Sequence, residues 1–313
     1  MKNRVITGIC YMAILVSMFA LKIFVHAFFF DALIYAFTLI GVKEIVTAMK
    51  ERITPSEKGI VYAFSAIVIP TCAIFEEFFG IGLHVTAILF FFFSVALLSL
   101  FVFRHDETTP ESVGTAFFCA VYPAIMFVML VLANHVVSDT LMGSLTAKHI
   151  AADNPISQYK FDSTIALLFI FFASAASDCM AFFTGSLLKK KFPKKLAPSV
   201  SPNKTVVGFI GGLLGGVLTG LVLYFVYNAI VGVGYANIQI WLPIYMAIGL
   251  ASAGATAFGD LVESCIKRRL AIKDMGNLMP GHGGILDRLD GTMFAGVVVY
   301  LCFVLVHVVA AFI

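Results

Sequence analysis

The sequence contains few charged residues for its length. Only 12% of its 313 residues are charged and 60% are hydrophobic, whereas an average soluble domain carries about 25% charged residues. It also lacks segments of about 10 residues in which apolar and polar side chains alternate, the pattern of a membrane β-strand. No C-x-x-C pair occurs among its six cysteines. These absences exclude an ordinary soluble domain and a transmembrane barrel, and they give no sign of a paired-cysteine metal site.

Continuous apolar runs recur along nearly the whole chain. A helix needs about 20 apolar residues to cross the bilayer core, and runs such as residues 85–103 have that length. The start of the chain turns apolar after Arg4 without a small-residue cleavage site, so we expect a first span there and no removed signal. We predict an all-α, polytopic membrane helix bundle with about nine transmembrane helices. Hydropathy places them at roughly 5–24, 28–48, 59–76, 82–103, 114–134, 163–187, 206–230, 240–263 and 291–312.

The basic residues predict an orientation. With nine spans and a cytoplasmic N-terminus, all 21 basic residues except Lys22, Lys148 and Lys160 fall at cytoplasmic ends. The loops 188–205 and 264–290 then face the cytoplasm, and both are rich in polar residues. We therefore expect residues 1–135 to form a transmembrane scaffold and residues 160–313 to form a catalytic transmembrane region.

Two aspartates lie within the predicted spans. Charged groups at membrane depth are costly and often functional, which singles out Asp178 in the sixth span and Asp260 near the end of the eighth. The alternative is that neighbouring groups hydrogen-bond both aspartates for packing alone. Glu76 and Glu77, at an external helix end, are expected to be solvated.

The loop 264–290 brings acidic and basic residues together. Asp287 and Asp290 are three residues apart, so they share a face if the last helix begins near residue 286. With Asp260 they would make an oxygen-rich site of the kind that suits Mg²⁺. Basic side chains in the same loop would clamp a polyphosphate beside that ion. The alternative for the lysines is a patch that binds anionic lipid headgroups.

Glycines occur in two settings. Those at 281, 283 and 284 would allow the backbone to approach a phosphate closely. Another set repeats at helical spacing and predicts close helix packing, within the chain or between protomers. It consists of Gly208, Gly211, Gly212, Gly215, Gly216 and Gly220.

The loop 264–290 resembles the signature of the phosphatidate cytidylyltransferases, also called CDP-diglyceride synthases. The matching residues are Ser264, Lys267-Arg268, Lys273-Asp274, His282-Gly283-Gly284, Asp287-Arg288 and Asp290. Upstream, Ser177-Asp178 and the run 201–205 resemble a second block of that family. The resemblance implies an all-helical membrane bundle, usually dimeric, that converts CTP and phosphatidic acid into CDP-diacylglycerol and pyrophosphate. It also implies a cytoplasmic magnesium centre with K⁺ as a second ion.

The resemblance and the spacing together suggest a role for each residue. Metal binding is expected at Asp260, Asp287 and Asp290, with Asp178 supporting the metal or orienting a ligand. The phosphate clamps would be Lys204, Lys267, Arg268 and Arg288, and substrate would also contact Ser201 and Ser264. His282 would contact a phosphate or donate a proton.

The expected partners are CTP, phosphatidic acid, the lipid bilayer and a second copy of the chain, with no nucleic acid. We expect an integral protein of a bacterial plasma membrane with its active site facing the cytoplasm. Two alternatives remain at this stage. A polyprenol kinase or a CDP-archaeol synthase would share the nucleotide site but differ in the lipid slot. A transporter would predict broken helices at mid-membrane and inverted symmetry, and the sequence shows no convincing inverted repeat.

Overall fold

The structure is a computed structural model that describes residues 2–136, 162–231, 238–279, 281 and 283–312. Nine helices make up most of these residues, which confirms the predicted all-α membrane bundle. They are α1 (Lys2–Phe24), α2 (Phe28–Ala48), α3 (Pro55–Phe79), α4 (Gly82–Phe103), α5 (Pro110–Asn134), α6 (Ser163–Leu188), α7 (Val206–Val231), α8 (Ile238–Arg269) and α9 (Leu286–Phe312). A short hairpin of β1 (Lys195–Ala197) and β2 (Ser201–Thr205) precedes α7.

Within the described residues, eight of these helices are long and apolar enough to cross a membrane. The remaining one, α2, is 21 residues long. It differs because Asp31, Lys43 and Glu44 interrupt its apolar sequence. The predicted number of helices is therefore confirmed, and among the described residues eight of the nine have the length and hydropathy of a membrane span.

Local sequence signals explain where several helices begin. Thr54 caps α3 by accepting a hydrogen bond from the Glu57 amide, and the Glu57 side chain accepts one from the Thr54 amide. Thr109 and Ser112 form the same arrangement at the start of α5. Proline follows each threonine, at a position where a missing N–H costs nothing.

Two helices contain a wide turn. Residues Val121–Ile125 of α5 and Phe169–Ala173 of α6 form single π-helical turns. Pro123 lies in the first of them, and a proline cannot supply the N–H that a regular α-turn needs. The hydrophobicity of both segments gave no signal of these turns.

The chain packs as two units. The first contains Met1–His135 and Arg269–Leu289, and the second contains Val136–Arg268 and Asp290–Ile313. In the first unit, Phe30, Ile34, Ile45 and Phe127 are fully or almost fully buried. Burial of large apolar side chains on α2 and α5 thus forms the core of this unit.

The core of the second unit forms where α7 meets its neighbours. A Cβ added at Gly216 would lie 2.3 Å from the carbonyl oxygen of Gly249, and one added at Gly220 would lie 2.3 Å from that of Tyr245. A side chain at either glycine would therefore separate α7 from α8. The glycine repeat serves packing within the chain, which was one of the two predicted alternatives.

Candidate active site

The hairpin places Lys204 just before α7. Its strands are antiparallel, with Lys195 opposite Thr205 and Ala197 opposite Ser201. The Thr205 hydroxyl accepts a hydrogen bond from the Gly208 amide, 3.1 Å away, and so caps the first turn of α7. Because β2 runs directly into α7, the backbone at Lys204 is fixed by the hairpin before it and by the helix after it.

Lys204 pairs with Asp260 in the second unit. The Lys204 Nζ lies 2.5 Å from Asp260 Oδ2, and the two side chains are 30% and 26% exposed. The structure thus joins a predicted phosphate clamp to a predicted metal ligand from a helix 56 residues away. The ion pair thus joins the end of the hairpin to α8 within the second unit.

A cavity of about 530 Å³ surrounds the ion pair. Asp178 of α6 lines it together with Lys189, Lys195, Lys204 and Asp260. Hydroxyl and amide side chains and aromatic rings also line it, namely Ser177, Ser186, Asn203, Thr205, Phe182 and Phe209. Three lysines and several neutral donors around one cavity can bind a polyanion.

Polar side chains of α6 also hold α8 in place. Ser174 and Thr256 share a hydrogen bond of 2.9 Å between their hydroxyls, and both residues are buried. Ser177 Oγ lies 3.5 Å from the carbonyl oxygen of Ala253. The serine neighbours of Asp178 thus contribute to packing between α6 and α8, and Asp178 lines the cavity.

A group of carboxyls lies next to Asp260. The carboxyl of Asp290 lies close enough to those of Asp260 and Glu263 for their charges to act on it. Glu263 is 1% exposed, and its Oε2 accepts a hydrogen bond of 2.8 Å from Lys267 Nζ. Since neighbouring negative charges repel each other, this group of carboxyls needs positive charge around it.

Glu263 was not among the site residues predicted from the sequence. It follows Asp260 by three residues and precedes Lys267 by four, so all three share one face of α8. That spacing was visible in the sequence and could have added Glu263 to the predicted carboxylates.

The donor chemistry of this group fits Mg²⁺, which prefers carboxylate oxygens. In the described parts of the chain, however, no three histidine, cysteine or acidic side chains are arranged to hold a metal ion. Asp260 and Glu263 are paired with Lys204 and Lys267 instead. The assignment of Asp260, Asp287 and Asp290 to a metal therefore stays a prediction.

Asp287 lies in the first unit, at the start of α9. Its Oδ2 accepts hydrogen bonds from the amides of Met275 and Gly284, both at 2.8 Å. Gly283 has a φ of 89°, and a Cβ there would lie 2.7 Å from the same oxygen. These glycines let the backbone fold closely around a carboxylate of the protein itself.

A second carboxylate, from α2, reaches the same segment. Glu44 accepts hydrogen bonds of 3.0 Å from the amides of Ile285 and Leu286, one to each oxygen. The residue is only 8% exposed. Glu44 was not predicted from the sequence, although the high cost of a charged group at membrane depth, which singled out Asp178, applies equally to a glutamate in an apolar run.

The other predicted site residues are more exposed or less constrained. Arg268 is exposed, and its Nε lies 3.4 Å from the carbonyl oxygen of Val200 in the hairpin turn. Ser201 begins β2, and Ser264 follows Asp260 by one turn of α8. Arg288 is exposed in the first turn of α9. The prediction for His282 lies outside the described residues.

Comparison with known proteins gives a consistent result. The chain matches the sequence model of the Cytidylyltransferase family over residues 2–306. A Bacillus subtilis protein named phosphatidate cytidylyltransferase is 30% identical over 299 residues, which are 94% of each chain.

Two further relatives with the same name match over shorter stretches. The protein of Staphylococcus saprophyticus is 41% identical over 128 residues, which are 41% of this chain and 45% of the relative. The protein of Helicobacter pylori is 37% identical over 136 residues, which are 44% of this chain and 46% of the relative. These two alignments span less than half the length of either relative.

Proposed function

Because the chain belongs to the cytidylyltransferase family, we propose that it transfers a cytidylyl group from CTP to phosphatidic acid. The products are CDP-diacylglycerol and pyrophosphate. The observation that carries the proposal is the cavity in which Lys204 meets Asp260, among further lysines and hydroxyl groups. Such a lining suits a substrate with several phosphates.

The reaction is a displacement at phosphorus. An oxygen of the phosphatidic acid phosphate forms a bond to the α-phosphorus of CTP. The bond from that phosphorus to the oxygen bridging the β-phosphorus breaks, and pyrophosphate leaves with the electron pair. A phosphate monoester has a second pKa of about 6, so the nucleophile is already largely a dianion near neutral pH and needs no strong general base.

The main task of the protein is to bring two anions together. Lys189, Lys195 and Lys204 line the cavity and offset the negative charge of the phosphates. Asp260 holds the Lys204 ammonium in place before substrate arrives. Positioning and charge cancellation then lower the barrier, as expected for phosphoryl chemistry.

Magnesium, when bound, would neutralise charge on the phosphate oxygens. Asp260 and Asp290 would hold it within the second unit, with Glu263 close by, and Asp287 is proposed as a further ligand. K⁺ as a second ion, and a phosphate contact or proton donation by His282, follow from the family resemblance alone.

The lipid substrate suits a protein with this many apolar helices. Phe182 lines the cavity and is 69% exposed, so an apolar route along it would let the diacyl tails stay in the bilayer. We place the active site on the cytoplasmic side of a bacterial plasma membrane because of the distribution of Lys and Arg. A homodimer remains part of the proposal through the family resemblance.

Pyrophosphate release by the purified protein tests the function. We expect release from CTP only when phosphatidic acid and Mg²⁺ are both present, with CDP-diacylglycerol as the lipid product. A polyprenol kinase would instead convert CTP to CDP with a polyprenol acceptor, and a CDP-archaeol synthase would require an ether-linked lipid. Absence of pyrophosphate release with phosphatidic acid would contradict the proposal.

The same assay tests the metal assignment. The Asp287→Asn variant should lose activity because its side chain exchanges an anionic oxygen for a neutral amide. Equal activity of this variant and the wild type would remove Asp287 from the proposed metal ligands.

A further inference from the structure

Glu44 is a buried carboxylate with a specific pair of partners. It lies in α2, is 8% exposed, and directs one oxygen to the amide of Ile285 and the other to the amide of Leu286. These amides follow Glu44 by 241 and 242 residues in the sequence. The contact therefore attaches the start of α9 to a helix from the other end of the sequence.

The backbone around this carboxylate is closely fitted. A Cβ at Gly276 would lie 2.3 Å from Glu44 Oε1, and one at Gly284 would lie 2.4 Å from the same atom. The amide of Gly284 in turn donates to Asp287 at 2.8 Å. One turn of backbone thus contacts Glu44 on one side and Asp287 on the other.

Elementary chemistry explains why a carboxylate occupies this place. The first N–H groups of a helix have no partner within the helix, and the N-terminus carries a partial positive charge that favours an anion. A buried ionised group requires such hydrogen bonds. Both oxygens of Glu44 accept such hydrogen bonds, and the donors are the Ile285 and Leu286 amides, which themselves need acceptors at the start of α9.

We infer that Glu44 is a positioning residue that fixes the start of α9 and thereby the carboxylate of Asp287. The inference rests on the proposed function, in which Asp287 acts on the bound metal or phosphates. Glu44 acts through the backbone of residues 284–286. Its contribution is to hold Asp287 in one place during the reaction.

Glu57 provides a matched control, because it is a buried carboxylate that caps a helix away from Asp287. Glu57 is also a fully buried carboxylate in the first unit. It accepts hydrogen bonds from the Thr54 amide at 2.8 Å and the Ser112 hydroxyl at 2.7 Å. Loss of this carboxylate should weaken α3 and α5 without altering the position of Asp287.

The experiment compares Glu44→Gln, Glu44→Asp and Glu57→Gln in the full-length protein, reconstituted in lipid. Pyrophosphate release gives kcat and the Mg²⁺ concentration for half-maximal activity. Thermal unfolding gives Tm, and hydrogen–deuterium exchange reports on the peptide covering residues 283–290. A displacement of about 1 Å can cost about 100-fold in rate.

We expect Glu44→Gln to lower kcat by about 10- to 100-fold, to raise the Mg²⁺ requirement and to speed exchange in that peptide. Glu44→Asp keeps the charge but is one methylene shorter, so it should be intermediate. Glu57→Gln should lower Tm by about as much as Glu44→Gln does, while its kcat stays within about twofold of wild type.

Three results would overturn the inference. They are a kcat for Glu44→Gln within about twofold of wild type, an equal loss of kcat in Glu57→Gln at equal Tm, and unchanged exchange in residues 283–290. If Glu44→Gln does not fold, Glu44→Asp decides by the same measurements. If wild type releases no pyrophosphate, the proposed function fails, while the exchange result still decides whether Glu44 anchors α9.

Discussion

The Lys204–Asp260 pair shows how one ion pair can position a lysine in a cavity. Both side chains are partly exposed, so solvent screens the pair and its contribution to stability is small. Its value lies in geometry, since a lysine held by a carboxylate is already in place when a phosphate arrives. The Asp260 carboxylate also lies beside Asp290, so it belongs to the acidic group as well as to the ion pair.

Replacing Asp260 with asparagine should therefore reduce activity far more than stability. We expect kcat/KM for CTP to fall by about 100-fold or more, a loss typical of removing an electrostatic group from an active site. The matched control is Asp106→Asn, because the side chain of Asp106 is 89% exposed. Pyrophosphate release measures both variants, and a loss below about threefold for Asp260→Asn would contradict its assignment.

The backbone at Gly284 leaves no room for a side chain, and this can be tested by substitution. A Cβ at this position would lie 2.4 Å from Glu44 Oε1, so Gly284→Ala should push the carboxylate away from its amide donors. We expect a loss of about 1–3 kcal/mol in the free energy of unfolding, as for other overpacked sites.

Gly59→Ala is the control for Gly284→Ala. Gly59 lies within α3, and a Cβ there would meet nothing within 4 Å. Alanine is a better helix former than glycine, so this variant should keep or raise Tm. Equal Tm values for the two alanine variants would show that the close fit at Gly284 is not required.

At the scale of helices, α2, α3 and α5 share a polar cluster in the first unit. His135 follows α5 and is 2% exposed, with Nε2 2.6 Å from Asp31 Oδ2 and Nδ1 2.7 Å from Glu77 Oε2. Asn134 donates to Asp31 Oδ1 at 2.8 Å, and His26 lies 3.3 Å from Glu77 Oε1. Glu77 is thus paired on both sides, whereas the sequence predicted that it would be solvated.

This cluster sets the protonation of His135. An ionised carboxylate only accepts hydrogen bonds, so pairing with two of them requires a proton on both ring nitrogens. Burial disfavours the charged ring, but the hydrogen bonds and charges of Asp31 and Glu77 outweigh burial and raise the pKa of His135. The folded state therefore binds this proton more tightly than the unfolded state.

The raised pKa predicts the pH dependence of stability. The stabilisation is fully present below the usual histidine pKa of about 6.5 and is lost as the pH rises through the higher pKa of the folded state. The Tm of the wild type should therefore fall as the pH increases from about 6.5 upwards. Thermal unfolding of His135→Gln should show a smaller fall over the same range.

His105→Gln is the control for this pH series. Its side chain is 75% exposed beside Asp106, so the variant should retain the pH dependence of the wild type. A wild-type Tm that is constant above pH 6.5, or that falls equally in His135→Gln, would contradict the role of the cluster.

The sequence predicted helices better than it predicted the contacts between them. Apolar runs of about 20 residues specify a span without reference to the rest of the chain, so the nine helices could be found. The hairpin could not, because β1 and β2 are three and five residues long and the second contains Pro202. The role of Glu44 could not be predicted for a different reason. Its hydrogen-bond partners are more than 240 residues away, and no local pattern encodes such a pairing.

On the scale of the whole molecule, the signature is divided between the two packing units. Ser264, Lys267, Arg268 and Asp290 belong to the second unit, and residues 269–289 belong to the first. Within the second unit Asp260 and Asp290 lie close enough for their charges to interact. The first half of the chain thus contributes more than scaffold, because α2 supplies the carboxylate that holds Ile285 and Leu286.

Orientation in the membrane is a property of the whole chain and follows from the positions of Lys and Arg. Cysteine labelling tests it in a variant whose six native cysteines are replaced. Lys190→Cys lies in the loop 188–205, and Ile81→Cys lies in the exposed turn between α3 and α4. A membrane-impermeant maleimide added to intact cells should label the cysteine at 81 and leave the one at 190 unlabelled.

Inside-out vesicles should give the opposite pattern, since their cytoplasmic face is accessible. Labelling at 190 in intact cells would place the cavity lysines on the outer side, where no cytoplasmic CTP reaches them. That result would contradict both the predicted orientation and the proposed reaction, because the nucleotide and the cavity would lie on opposite sides of the membrane.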